Sequence, residues 1–226
     1  MKNKISVLLA TMISIFMSAQ VSLVEVKKVH ENTDKFLYTI DSLQAQKSEY
    51  LGKLEVNGFN IDDVAVFSEV YKKAKSTGAN TYRLQLNPTI EGKPSFNPNF
   101  YTLLLYYTPE KVYGKEENQV YLISSSDKAI KVRINDRKIL LEPRSFVQLN
   151  LNQILSADIA VGGFLGSRIQ IEQQNNQPNL YFEISGAKIS ANRYGEGGLN
   201  LKSGDFIKLE KSFAQFLLNI YQVQKF

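Results

Sequence analysis

Residues 50–86 read YLGKLEVNGF NIDDVAVFSE VYKKAKSTGA NTYRLQL, and the period of the apolar pattern changes twice within them. Tyr50, Gly52, Leu54 and Val56 alternate with Leu51, Lys53 and Glu55, the two-residue period of a strand. Asn57-Gly58 reads as the turn that closes it. Val64, Phe67, Val70, Tyr71 and Ala74 then recur at the spacing of one helical face. Asn60 is placed to cap that helix, with Asp63 as the acidic group three residues on. Lys72, Lys73 and Lys75 suit the negative end of the helix dipole, and Gly78 supplies the stop. Residues 81–86 return as a strand. The order strand, helix, strand describes either a βαβ unit or a helix laid across an antiparallel sheet, and the pattern leaves both open.

Upstream lie two short apolar stretches, residues 22–29 and 36–40. Downstream, Pro88, Pro94 and Pro98 with Gly92 and Asn97 read as a linker. Beyond it come short β-rich runs at 100–107, 119–123, 130–134, 138–141, 145–151, 168–171, 180–184 and 187–191, with turns between them. That rhythm belongs to a sandwich or a barrel. Asn135-Asp136 suits a tight hairpin, and Pro143 marks a turn before the run at 145–151. Residues 205–209 read as a strand. Ser212 is placed to cap a helix whose Phe213, Phe216, Leu217 and Ile220 would dock on the sheet. The expected fold is therefore α+β. A small αβ domain (20–87) and a Pro-containing linker (88–98) precede a mainly antiparallel, β-sandwich-like domain (99–226) with a short C-terminal helix.

Residues 1–19 read as a signal peptide. Lys2 and Lys4 form a positive start, residues 5–17 are mostly apolar, and Ser18-Ala19 precede an expected cut at Ala19–Gln20. As a helix the apolar run spans about 20 Å, short of the about 30 Å of a bilayer core. The expected location is exported: periplasmic, outer-membrane-associated or extracellular. No span is expected in the mature chain. The Gln222 and Gln224 alternation does not suit a lipid-facing terminal strand.

The chain has no cysteine, no tryptophan and one histidine in 226 residues. Disulfides and a lipidated cysteine are thereby excluded, and a mature chain of this size is expected to hold together by burial. With the signal removed the formal net charge falls from +5 to +3, because Lys2 and Lys4 leave and no acidic residue does. The Lys and Arg residues are spread along the sequence without a run, so no nucleic-acid partner is expected.

Two stretches carry a resemblance. GKLEV (52–56), followed by the helix and KAKSTGAN (73–80), resembles an "lG-x-V … kA…GAN" pattern of uncharacterised exported bacterial envelope proteins. Val120-Tyr121-Leu122-Ile123, VRINDRK (132–138) and LEPRSFV (141–147) resemble a bacterial β domain, with Asp136 and Arg144 where that pattern usually has glycine. The resemblance implies an envelope-associated accessory protein and no particular chemistry. Physically, Gly78 ends the helix, Ala79 allows close approach and Asn80 bonds backbone at the strand entry.

Reactive groups are sparse. His30 sits in a polar stretch and reads as a surface residue. S-x-x-K occurs at Ser125–Lys128 and Ser185–Lys188, but at strand ends rather than at a helix start, and without S-D-N or K-T-G. Glycines 162, 163 and 166, and 195, 197 and 198, precede strand-like or loop sequence rather than the helix a phosphate loop requires. Asp62-Asp63 and Glu116-Glu117 are sequence neighbours, which do not converge on one point. One histidine supplies no transition-metal site, and no calcium-loop motif occurs. No catalytic, cofactor-binding or metal residue is assigned and no cofactor is expected. The expected function is a non-enzymatic envelope accessory or binding module whose partner is an envelope protein or cell-surface component. The alternatives are a structural subunit of a surface assembly, or a carboxylate-based hydrolase or small-ligand binder acting on envelope glycan or lipid.

Overall fold

The computed structural model describes residues 20–57, 62–88, 94–114, 116–162, 166–186, 188–191, 199–202 and 204–225, with backbone alone at 87–88, 94–95, 188–191 and 199–202. The expected signal at 1–19, Gly58, Asn60 and the glycines at 195–198 lie outside them. The chain divides into two units, Met1–Tyr113 and Gly114–Phe226.

The first unit contains β1 (Gln20–Val26), β2 (Tyr38–Thr39), α1 (Ser42–Ala45), β3 (Glu49–Asn57), α2 (Asp63–Ser76), β4 (Thr81–Gln85), β5 (Asn87–Pro88), β6 (Pro94–Ser95) and β7 (Phe100–Tyr107). Its main sheet has the order β1-β3-β7-β4-β2. β3 and β4 each run antiparallel to β7, so they are parallel to one another with a later strand between them. The open choice is thereby resolved as a split βαβ arrangement whose helix packs against β1 and β3. β7 was expected beyond a linker at 88–98; instead it fills the centre of the first sheet, and the units divide between Tyr113 and Gly114. The reason lies in its composition. Tyr101, Leu103 and Leu105 on one side, with Thr102 and Tyr106 on the other, are all buried. A strand apolar on both faces needs two neighbours and two covered faces. The prolines lie in a short excursion, with β5 and β6 paired antiparallel.

The helix forms where expected, but its cap and buried face differ. Asp62 is the cap, its carboxylate accepting from the Ala65 N–H at 3.0 Å. The buried residues are Asp63, Val66, Val70 and Ala74, while Val64 is 64% exposed. At about 100° per residue, Val64 lies about 120° around the axis from Val70. Leu51, which alternates with Leu54 and Val56 in the sequence, is fully buried as they are, at the point where the β3–β7 register shifts between Tyr50 and Gly52.

The GAN segment behaves as read. Gly78 follows the helix cap with φ +78°, and Ala79 is fully buried. The Asn80 amide donates to Thr108 O at 3.0 Å and to Asp34 Oδ2 at 2.8 Å, and its Oδ1 accepts from the Thr108 N–H at 2.8 Å.

The second unit contains β8 (Gln119–Ser124), β9 (Ile130–Ile134), β10 (Arg137–Leu141), β11 (Ser145–Asn150), α3 (Leu151–Ile154), β12 (Ser156–Val161), β13 (Ser167–Glu172), β14 (Leu180–Ser185), β15 (Lys188–Ala191), β16 (Leu199–Lys202), β17 (Asp205–Lys208), α4 (Lys211–Ile220) and β18 (Gln222–Val223). One sheet has the order β10-β9-β12-β13, another β17-β14-β8-β11-β18, and β15 pairs with β16. Both larger sheets feed one apolar cluster, which includes Val132, Ile134 and Ile159 from the first, and Val120, Leu122 and Val147 from the second. Asn135 turns the β9–β10 hairpin with φ +50°; Asp136 is not in the left-handed region. The α4 cap is Glu210 rather than Ser212, its carboxylate accepting from the N–H groups of Ser212 and Phe213. Of the expected apolar face, Phe216, Leu217 and Ile220 are buried, with Ala214 in place of a fully buried Phe213. β12 was not expected as a strand; it lies inside the four-stranded sheet.

Candidate cationic groove on the four-stranded sheet

β9 buries Ile130, Val132 and Ile134 and exposes Lys131 and Arg133, the alternation of a strand with one face on a core. The hairpin at Asn135-Asp136 fixes the register of β10, setting Arg133 opposite Lys138 and Lys131 opposite Leu140. On the other side of β9, Arg133 faces Ala160 of β12, and Ala160 in turn faces Arg168 of β13. One row across four strands therefore reads Lys138, Arg133, Ala160, Arg168. Gly162 donates its N–H to Lys131 O at 3.3 Å and continues the next row.

Alanine and glycine rise little above the backbone, whereas lysine and arginine are long. Their juxtaposition leaves an open groove of about 710 Å³, lined by Lys131, Arg133, Lys138 and Leu140, with Ala160 and Gly162 as its floor.

Asp158 orders one end of this face. The Asn135 N–H donates to Asp158 O at 2.7 Å, and the Asp158 N–H donates to Asn135 Oδ1 at 2.8 Å. Held there, the Asp158 carboxylate accepts from Nε and Nη2 of Arg168, and Arg133 Nη2 lies 4.0 Å away. The hydrogen bond from Arg168 holds the Asp158 carboxyl below the usual carboxylate range, against the opposing effect of desolvation, with the charges of Arg168 and Arg133 adding to it. Arg168 is correspondingly raised by its hydrogen bond to Asp158. Arg133 and Arg168 are 43% and 65% exposed, so solvent screens these pairs and they orient more than they stabilise. Lys131, Arg133, Lys138 and Arg168 against Asp158 and Glu172, the latter opposite Ser156 at the end of β13, give the described residues of this face a net +2.

Comparison with protein-family models, with curated proteins and with solved structures finds no match.

The residues weighed for chemistry do not converge. His30 is not a plain surface residue: its ring stacks on Tyr107 with centroids 3.6 Å apart, and its Nδ1 donates to Glu49 Oε2 at 2.9 Å. Glu49 also pairs with Lys28, whose hydrogen bond is the largest effect lowering its pKa. Asp62 caps α2, and Asp63 is buried in its first turn. Glu116 accepts from the Asn179 amide at 3.2 Å, and Glu117 bridges to Pro178. Ser125 is exposed after β8, where the Lys128 N–H bonds Ser126 Oγ at 3.0 Å in a local turn. Ser185 ends β14, and the side chain of Lys188 lies outside the described residues. Gly162 with Gly166 joins β12 to β13, which pair as a hairpin, so no helix opens there; Gly163 lies outside the described residues. Among the described residues no group of three or more His, Cys, Asp or Glu is arranged to hold a metal, and no helix is long and apolar enough to cross a membrane.

The basic groove escaped sequence reading because its cations are separated along the chain by strands and turns. A local signal was present in KVRINDRK (131–138): cations at alternate positions, then a two-residue turn that brings Lys138 back against Arg133.

Proposed function

We propose that this chain is an exported, non-enzymatic binding module of the bacterial envelope, and that it engages an envelope component through the cationic groove on the β10-β9-β12-β13 sheet. The single observation that carries the reading is the row Lys138, Arg133, Ala160, Arg168, in which long cations surround a low floor on an exposed sheet face. A few polar groups around a concave site of several hundred Å³ is the usual form of a recognition surface. The apolar cluster shared by the two larger sheets supports reading the second unit as a sandwich, a scaffold that presents a sheet face rigidly. Export rests on the signal-like residues 1–19. The non-enzymatic reading rests on the absent cysteine and on a lone histidine already stacked on Tyr107 and bonded to Glu49.

The test is a photo-crosslinking residue placed at Leu140 in living cells, with the exposed Leu155 as a second position. The expected result is an adduct with an envelope component at Leu140, absent at Leu155 and lost when Lys131, Arg133 and Lys138 are all changed to Gln. No adduct at Leu140, or a chain retained in the cytosol, would refute the proposal.

A further inference from the structure

Resting on that reading, we infer that the groove takes a linear acidic glycan, gripped through several of its anionic groups at once. The argument begins with spacing. Lys138 and Arg133 face each other on neighbouring strands, about 5 Å apart at the backbone, and Lys131 lies two residues along β9 from Arg133, about 7 Å away. Arg133 and Arg168 are two strands apart, about 10 Å, with Ala160 between them. Cations laid out over such distances exceed the reach of one carboxylate or one phosphate. They match charges repeated along an extended chain.

Asp158 sharpens the arrangement. Its carboxylate takes Arg168 at one end of the row, while Lys131 and Lys138 lie toward the other end with no carboxylate opposite them in the register. The groove floor between them, Ala160 and Gly162, is low enough for a chain to lie against the sheet. Strength must come from number. An exposed ion pair is worth at most about fivefold in affinity, so a single acidic sugar would bind negligibly, whereas three pairs on one polymer reach about 100-fold before chain-length effects.

The lining also argues against two other polyanions. Among the described residues lining the groove none is aromatic, so they offer no platform for the base-stacking that single-stranded nucleic acids use. Among the described residues, Leu140 is the large apolar side chain exposed at the rim, too little for insertion into a lipid surface.

The experiment uses the whole chain from Gln20 and measures binding to polygalacturonate at 50 mM salt, beside galacturonic acid, neutral dextran, single-stranded DNA and vesicles rich in phosphatidylglycerol. Polygalacturonate should bind, more weakly as salt rises. The monomer and dextran should not bind. The triple change Lys131→Gln, Arg133→Gln, Lys138→Gln should weaken binding about 10- to 100-fold. Asp158→Asn, which removes the carboxylate that holds Arg168, should tighten it about two- to fivefold, a gain that misfolding does not produce. Equal binding of dextran, indifference to salt, or an unchanged triple variant would overturn the inference. So would tighter binding of DNA or of vesicles than of polygalacturonate. Failure on every glycan with a Leu140 adduct to an envelope protein would sink the glycan and leave the binding module. Failure of both would sink the two together.

Discussion

Lys138→Glu should make the protein more stable and destroy the proposed binding face. Arg133 and Lys138 are directly opposed on adjacent antiparallel strands, both exposed. Like charges so placed repel, at a cost of about 0.2–1 kcal/mol, and an opposite pair in the same position gains about as much. Reversing the sign at residue 138 is therefore worth about 0.5–2 kcal/mol, reduced by the hold that Asp158 already has on Arg133 at 4.0 Å. β10 lies at a sheet edge, where a charge discourages pairing with other chains, but a glutamate serves that purpose as well as a lysine. Edge protection thus explains a charge and not its sign. The assay is native-state hydrogen exchange read by mass spectrometry on peptides from β9 and β10, with peptides from the first unit as internal reference. Slower exchange in the hairpin, by up to about 30-fold at the upper end of that range, should accompany loss of polygalacturonate binding. Faster exchange would show that the cross-strand repulsion is absent, and unchanged binding would show that Lys138 is not part of the recognition face.

Gly78→Ala forces an L side chain to φ +78° and places a Cβ 1.7 Å from the His30 carbonyl oxygen, threatening the His30 N–H to Thr77 O bond of 3.0 Å. A loss of about 2–3 kcal/mol in the first unit is expected from the backbone strain and that bond, whereas Gly186→Ala, where nothing lies within 4 Å, should change little on hydrogen exchange. Leu122→Ala removes a fully buried side chain from the cluster shared by the two sheets and should cost about 2–5 kcal/mol by urea unfolding of the second unit. In alkali, Tyr50 is pushed up to about 12, chiefly by burial and then by the Glu25 charge, and burial also raises Tyr113 and Tyr121. Their unfolded forms ionise near pH 10, so this stability is intact below that pH and lost as pH rises through the folded values; an ultraviolet titration giving ordinary tyrosine ionisation in the folded protein would contradict it.

Local signals carried the parts of the fold that depend on local physics. The β3–α2–β4 order, the Gly78 stop and the Asn80 backbone bonds were legible in residues 50–86, because period, caps and turn residues act within a few positions. The place of β7 was not. Three prolines suggest a boundary, but whether β7 joins the sheet before or after them depends on which strands can cover both its faces, a long-range matter. β12 was hidden for another reason. Ala157, Asp158 and Ala160 are poor strand residues, which leaves Ile159 and Val161 alone to carry the strand signal of the period-two buried set Ala157, Ile159 and Val161. Without β12 the row linking Arg133 to Arg168 has no middle, so the groove was invisible even though KVRINDRK contained half of it. Gln224, useful in the sequence only as an argument against a lipid-facing strand, proves to be a tie: its amide donates to Leu140 O at 2.7 Å, and its oxygen accepts from the Glu142 N–H at 3.1 Å.

The two larger sheets of the second unit each have a face turned away from the shared core, and the chain treats these faces in opposite ways. β17 and β18 lie on opposite edges of the five-stranded sheet, and α4 is the connection between them. Four strand steps are about 19 Å, and ten helical residues with their short flanks span about that distance, so α4 crosses a face of that sheet. No α4 residue belongs to the shared cluster, which places the crossing on the far face. There the directly opposed Tyr121 and Tyr181 stack at 5.1 Å and are buried. On the four-stranded sheet Lys131, Arg133, Lys138 and Arg168 remain exposed. Solubility alone would be served by mixed charges, and mixed charges would also stabilise the strand pairing. Three cations and one small residue aligned in a row instead sacrifice pairing energy at a place where the sequence had a cheaper choice. Such a local conflict, in an otherwise consistent fold, is what the proposed recognition role accounts for and stability does not.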